Sequence, residues 1–268
     1  MKICAFPWAC VSREGTRGTT KLEKWLDLAQ TYGLDGLEVP TPWIGPKDSK
    51  EAVKAFKESL ARCGLAVGMY NLDLDNWADP ATAEQAKPLI EMAAELGAPL
   101  LRMMAQRWHP QIREMSRSYA IRVSVDGLGK VAELARPYGI SLAIENHHNH
   151  VGIELEDFVQ ILIGLPCDNV GVNFDPKHPS RVDKDTMTFL RHPKVLGRIK
   201  CTHLDNFSDT IDGWNRNIAL DEGDLDVAEV IRTIKATGYD GWLSIEFGGS
   251  DVTVVERSVR FVRRVWAS

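Results

Sequence analysis

Residues 139–145 read Gly-Ile-Ser-Leu-Ala-Ile-Glu, and this stretch sets the architecture. A glycine closes the preceding helical pattern, an apolar run of strand length follows, and a carboxylate ends it. Glycine takes the left-handed conformation beyond a helix without steric cost, and a run apolar on both alternating faces suits a strand buried in a parallel sheet. The same joint recurs outward in both directions. Before it stand GLDGLEV from Gly33, GLAVGMY from Gly64 and GAPLLRM from Gly97; after it stand GLPCDNVGVNF from Gly164, GRIKCTH from Gly197 and GYDGWLSIE from Gly238. Together with the opening run KICAF, these joints predict eight strands alternating with helices.

The helices between them are amphipathic. Thr20 and Glu23 have capping-box spacing ahead of the stripe Leu22, Trp25, Leu26, Ala29 and Tyr32. Asp79 and Pro80 read as N-cap and first residue of a helix running through Leu89, Met92, Ala93 and Leu96 to Gly97. Strand spacings of about 30 to 40 residues predict an α/β fold of one domain, a (β/α)8 TIM barrel over residues 1–268, for which about 250 residues is typical. The alternative, an open doubly wound sheet, would carry a glycine-rich phosphate turn, and neither GxGxxG nor GxxxxGK followed by Ser or Thr occurs.

Composition bounds the function. With 44% hydrophobic residues and 26% charged, the chain can bury a core and is not a disordered one. A formal net charge of -5 argues against a broad nucleic-acid surface, and with no membrane-length apolar run the expected partner is a small molecule. The N-terminal apolar run is broken by Pro7 and followed by Arg13 and Glu14, unlike a secretory signal. Cys4, Cys10, Cys63, Cys167 and Cys201 are odd in number and form no CxxC pair, so they read as buried thiols of a reducing cytoplasm.

A closed barrel carries its chemistry at the carboxyl ends of the strands. There the fifth strand ends in Glu145, the sixth leads to Asp175, the seventh to His203, and the eighth ends in Glu246. Two glutamates, an aspartate and a histidine form a mixed oxygen and nitrogen set that suits one divalent ion, Mn²⁺ foremost, with Mg²⁺, Co²⁺ or Zn²⁺ as alternatives. Strand alternation places His147 on the side of Glu145, as a substrate contact, and His148 opposite, so His148 and His150 read as structural. His109 and His192 read as exposed loop residues. Trp8, Trp43, Trp77, Trp108 and Trp214 all follow strands; flat indole walls suit the C–H faces of a sugar, with Trp8 and Trp108 as contacts.

The motifs IEN at 144–146, NFDPKH at 173–178, THLDN at 202–206, ALDEGDLD from 219 and SIEF at 244–247 resemble the xylose isomerase-like TIM barrels, a group that includes D-tagatose and D-psicose 3-epimerases. The resemblance covers most of the chain. It implies metal ligation by Glu145, Asp175, His203 and Glu246, substrate-oxygen contacts from His178 and Arg216, and acid and base roles for Glu145 and Glu246. The implied activity is isomerisation or epimerisation of a small ketose or polyol through an enediolate; an inosose dehydratase-like lyase or a hydroxypyruvate-type isomerase would use much the same residues. Self-association into a homo-oligomer is implied as well. Asp205 and Asn206 stand where many relatives have Lys-Asp. Endonuclease IV shares the frame but needs extra histidines where this chain has Asn71, Met103 and Met104, so abasic-site cleavage is not expected. A non-catalytic sugar-binding subunit is the remaining alternative.

Overall fold

The computed structural model describes residues 1–15, 19–108, 115–211 and 213–268. The strands are β1 (Lys2–Phe6), β2 (Gly36–Pro40), β3 (Ala66–Asn71), β4 (Leu100–Met104), β5 (Ser141–Glu145), β6 (Val170–Phe174), β7 (Ile199–Leu204) and β8 (Trp242–Glu246). They close into a barrel in the order β1-β8-β7-β6-β5-β4-β3-β2. This is the predicted (β/α)8 architecture, with every strand where the glycine joints put it. The principal helices are α1 (Leu22–Thr31), α2 (Lys50–Arg62), α3 (Ala81–Leu96), α4 (Arg117–Ala135) and α5 (Leu155–Gly164), and α6 (Lys177–Arg181) opens directly after β6. The chain packs as two compact units, residues 1–68 with 202–268, and residues 69–201.

Register decides which side chains meet, because laterally paired residues of parallel strands share a face. In the first unit Ser244 pairs with both Cys4 and His203, while Phe6 pairs with Glu246. Cys4 also pairs with Gly36, which puts Glu38, two residues on, one step nearer the carboxyl end of the same face. In the second unit Glu145 pairs with both Met104 and Asn173, and Arg102 pairs with Ala143.

Two glycines crowd one indole, and Gly36 crowds the Ala66 carbonyl as well. A Cβ on Gly36 or Gly68 would come within 2.8 Å of the Trp242 ring, so both strands approach that side chain over bare backbone.

Some local readings need correction. Thr20 does not cap α1: its backbone N–H donates to the Cys10 carbonyl within a short strand pair (Val11–Ser12 with Thr20–Lys21), and the N-cap is Lys21 without a side-chain bond. The start of α3 shifts by one residue, with Pro80 as N-cap, yet the Asp79 carboxylate still accepts from the Ala81 N–H at 2.9 Å. Gly33, Gly64, Gly97, Gly139 and Gly238 have the expected positive φ, but Gly164 and Gly197 do not. Gly164 is the last residue of α5, where a Cβ would meet Val125 at 2.7 Å, so packing against α4 explains it.

Candidate metal centre and histidine cluster

In the second unit two carboxylates and a histidine meet. Glu145 ends β5 with its side chain 2% exposed; one oxygen accepts from Arg102 Nη1 at 3.0 Å and the other lies 3.1 Å from His178 Nε2. Asp175, fully buried after β6, is locked to the neighbouring loop. Its N–H donates to Asn146 Oδ1 at 2.8 Å, and its carbonyl accepts from Asn146 Nδ2 at 2.9 Å. The same carboxylate accepts from the Lys177 N–H at 2.8 Å and lies 3.3 Å from His178 Nε2. Glu145, Asp175 and His178 each offer a ligand atom within 4.8 Å of the others.

Next to this carboxylate pair stands a cluster of imidazoles. The His147 ring stacks on His148 at 4.5 Å and lies 4.2 Å from His178. His147 and His148 therefore do not point to opposite sides. Both lie beyond Glu145, the last residue of β5, where strand alternation no longer governs direction. His150 is buried, with Nε2 3.0 Å from Asp75 Oδ2 and Nδ1 3.0 Å from His147 Nδ1. Burial pushes the His147 imidazole far below its ordinary range, helped by neighbouring His178, His150 and His148 and opposed by Glu145. Burial and then His178, Arg181 and Lys177 push His148 down to about 3. His150 is lowered too, by burial, against the pull of Asp75.

In the first unit a histidine lies between two carboxylates. His203 on β7 is buried, with Nε2 3.0 Å from both carboxylate oxygens of Glu38. The Ser244 hydroxyl donates to the same carboxylate at 2.5 Å. An acceptor pair on Nε2 keeps the proton there and turns the lone pair of Nδ1 outward, and Nδ1 lies 4.0 Å from Glu246 Oε2. A carboxylate that fixes the tautomer of a histidine is the usual support of a metal-ligating imidazole. A glutamate oxygen and this pre-set nitrogen, 4.0 Å apart, are donors of the kinds a divalent cation takes.

Sequence reasoning missed Glu38 and Arg102. Each sits inside an apolar strand, in GLEVP and LLRMM, and a charge at such a position is the signal that marked them. It also missed Asp75, whose carboxyl is held below the usual range: burial alone would raise it, but bonds from His150 and Arg107 outweigh that. Of the substrate candidates, Arg216 pairs with Asp205 and lies over the exposed Trp8 ring at 5.5 Å, which brings those three together. Trp108 is partly buried, its Nε1 donating to the Met115 carbonyl at 3.4 Å. Trp43 and Trp77 are core residues rather than pocket walls; Trp77 Nε1 donates to the Met104 carbonyl at 2.9 Å. His192 caps a short helix through Nδ1, and His109 lies outside the described residues.

Among the described residues no helix is long and apolar enough to cross a membrane, and all five cysteines are free thiols.

Comparison with known proteins gives a family and a fold. The family model described as xylose isomerase-like TIM barrel matches residues 26–265. An uncharacterized protein of Methanocaldococcus jannaschii is 28% identical over 124 residues, 44% of this chain and 41% of its own, so the chain spans about two fifths of that relative. The solved structure of a D-tagatose 3-epimerase-like protein superposes with a TM-score of 0.77 at 20% identity, over 100% of this chain and 97% of that one. A xylose isomerase-like TIM barrel protein of Mycobacterium smegmatis, in complex with magnesium, gives 0.75 at 19% identity over 96% and 95%. Structures of a probable dehydratase and of an AP endonuclease share the fold as well. At such identities these likenesses establish fold alone.

Proposed function

We propose, for a chain that belongs to the xylose isomerase-like TIM barrel family, that it is a metal-dependent isomerase or epimerase moving a proton at the carbon beside a carbonyl of a small ketose or related polyol. In this reading Glu145, Asp175, His203 and Glu246 hold one divalent ion. Manganese suits the oxygen-rich set best, and magnesium, cobalt and zinc are the alternatives. The observation that carries the proposal is the pre-set tautomer of His203, clamped by Glu38 at 3.0 Å through Nε2. A buried glutamate held this way is costly unless it serves a neighbour.

A divalent ion in this place supplies polarisation of the substrate carbonyl and stabilisation of enediolate charge. The remaining work falls to the chain. Glu145 and Glu246 act as acid and base, one removing the carbon-bound proton and the other returning it. Arg102 holds Glu145 in one orientation through its 3.0 Å bond, and its charge favours the ionised carboxylate. His178 Nε2, between Glu145 and Asp175, is placed to donate to a substrate oxygen, and Arg216 holds another. Trp8 and Trp108 present ring faces to the sugar's C–H surface.

The test is a panel of ketoses and polyols in heavy water, followed by NMR with Mn²⁺ or Co²⁺ supplied. Deuterium should enter the product at the carbon next to the carbonyl, and Glu145→Gln and Glu246→Gln should each abolish turnover. Conversion without deuterium at any carbon, or unchanged turnover in both variants, would overturn the reading. Loss of a hydroxyl together with the exchanged proton would move the assignment to a lyase on the same residues.

A further inference from the structure

His147 and His148 come from the loop after β5 and His178 from α6, yet each places a ring nitrogen so that the three atoms lie within 4.8 Å of one another. The Nδ1 atoms of His148 and His178 stand 2.9 Å apart. Two imidazole nitrogens at that distance share a single proton between two lone-pair positions. Two of the rings are also oriented from behind. His178 Nε2 lies 3.1 Å from Glu145 Oε1, which keeps the proton on Nε2 and leaves the Nδ1 lone pair toward His148. His147 Nδ1 lies 3.0 Å from His150 Nδ1, and His150 Nε2 lies 3.0 Å from Asp75 Oδ2, a string that ends on a carboxylate and leaves His147 Nε2 to face away from it.

We propose that His147, His148 and His178 form a second metal site, an all-imidazole one that takes a zinc-like transition ion. Ligand histidines are held by carboxylates on their far nitrogens, directly or through a relay, and both forms are present here. Tetrahedral zinc with Zn–N of about 2.0–2.1 Å sets its nitrogens roughly 3.3 Å apart, between the 2.9 Å contact and the 4.8 Å limit of the cluster. Three nitrogens leave a fourth position for water, and nitrogen donors select zinc or cobalt over the magnesium and manganese suited to the carboxylate centre. The site does not rest on the isomerase reading; the two share His178 as a ring and Glu145 as the carboxylate beside it.

Metal-free full-length protein titrated with Co²⁺, and separately dialysed against Zn²⁺ and counted by elemental analysis, tests the proposal. Four-coordinate cobalt on nitrogen absorbs strongly in the visible, and six-coordinate cobalt on oxygen only weakly. Wild type should hold two ions per chain and show the strong band. His148→Ala, and independently His147→Gln, should hold one ion and lose the band; Glu246→Gln should also hold one ion but keep it. Circular dichroism confirms that each variant is folded, and the wild-type count and band together are decisive without them. One ion per wild-type chain without the strong band, or a strong band that survives both histidine variants, overturns the site. A protein inert toward every sugar that still binds two ions overturns the isomerase reading alone, and an active protein with one ion and no strong band overturns the second site alone.

Discussion

Glu38→Gln isolates the support of His203 from its ligand role. The carboxylate is fully buried, both oxygens lie 3.0 Å from His203 Nε2, and Ser244 Oγ donates at 2.5 Å. Glutamine keeps the volume but turns one of the two oxygens into a donor. Whichever way the amide faces, one atom beside the imidazole N–H repels it, and the serine competes for the remaining oxygen. His203 then gains by moving its proton to Nδ1, which removes the lone pair from the metal side. Loss of such a supporting group costs about 10- to 100-fold in metal affinity. At about 1.4 kcal/mol per tenfold, that is roughly 1.4–2.8 kcal/mol. Stability of the metal-free protein should move less, because two effects oppose. The charge-assisted bonds lost are worth about 1.5–3 kcal/mol each, while relief from burying a carboxylate returns several kcal/mol. Calorimetric titration of Mn²⁺ into wild type and variant, with thermal unfolding of both metal-free forms, measures the two quantities. An affinity within twofold of wild type would refute the argument that Glu38 sets the tautomer.

Three further outcomes follow from single contacts. Gly127→Ala in α4 should lower the melting temperature: the new Cβ would sit 2.4 Å from the Trp77 ring, which its bond to Met104 pins, so overpacking of about 1–3 kcal/mol outweighs the roughly 1 kcal/mol gained in helix propensity. A variant at least as stable as wild type would contradict this. Arg102→Ala leaves the Glu145 carboxylate, 2% exposed, without its guanidinium; breaking a buried pair costs about 3–5 kcal/mol, and the exposed Asp73 on the other arm places the loss at the lower end. Urea unfolding reads it, and a loss under about 1 kcal/mol would count against the pairing. Asp75→Asn should cost stability at neutral pH but not in strong acid. The folded carboxyl lies below its ordinary range, so the unfolded chain binds the extra proton and stability falls with pH. The gap between wild type and variant in urea midpoints should hold above the unfolded value of about 3.9 and close as pH falls through the folded one; a gap independent of pH would refute it.

The barrel was legible because its repeating unit is short and redundant. Seven of the eight strands carried their own glycine joint and apolar run, so a misread joint changed nothing around it. Gly164 and Gly197 show this: neither adopts the left-handed conformation, yet β6 and β7 follow in place. The capping box at Thr20 failed for a different reason. A local hydrogen-bond pattern competes with any other partner for the same backbone group, and the Cys10 carbonyl, ten residues earlier, took the Thr20 N–H.

The site was legible only where it touched the end of a strand. Searching strand ends found Glu145, Asp175, His203 and Glu246, but it passed over Glu38, two residues short of the end of β2, and Arg102, in the middle of β4. In an open sheet those positions could reach solvent. In a closed barrel they cannot, so a charge there must already have a partner or function, and its presence in an apolar run is itself the signal. The partners were out of reach of sequence: Glu38 meets His203 across 165 residues and Arg102 meets Glu145 across 43. Both contacts express one device. In the first unit Glu38 sets the proton of His203, and in the second Glu145 sets that of His178, so each unit decides by a buried glutamate which ring nitrogen keeps its lone pair. Alternation failed at His147 and His148 for the complementary reason. Once the chain leaves β5, direction is set by what the loop packs against, and there the choice of partner, His178 of α6, outweighs the pleat.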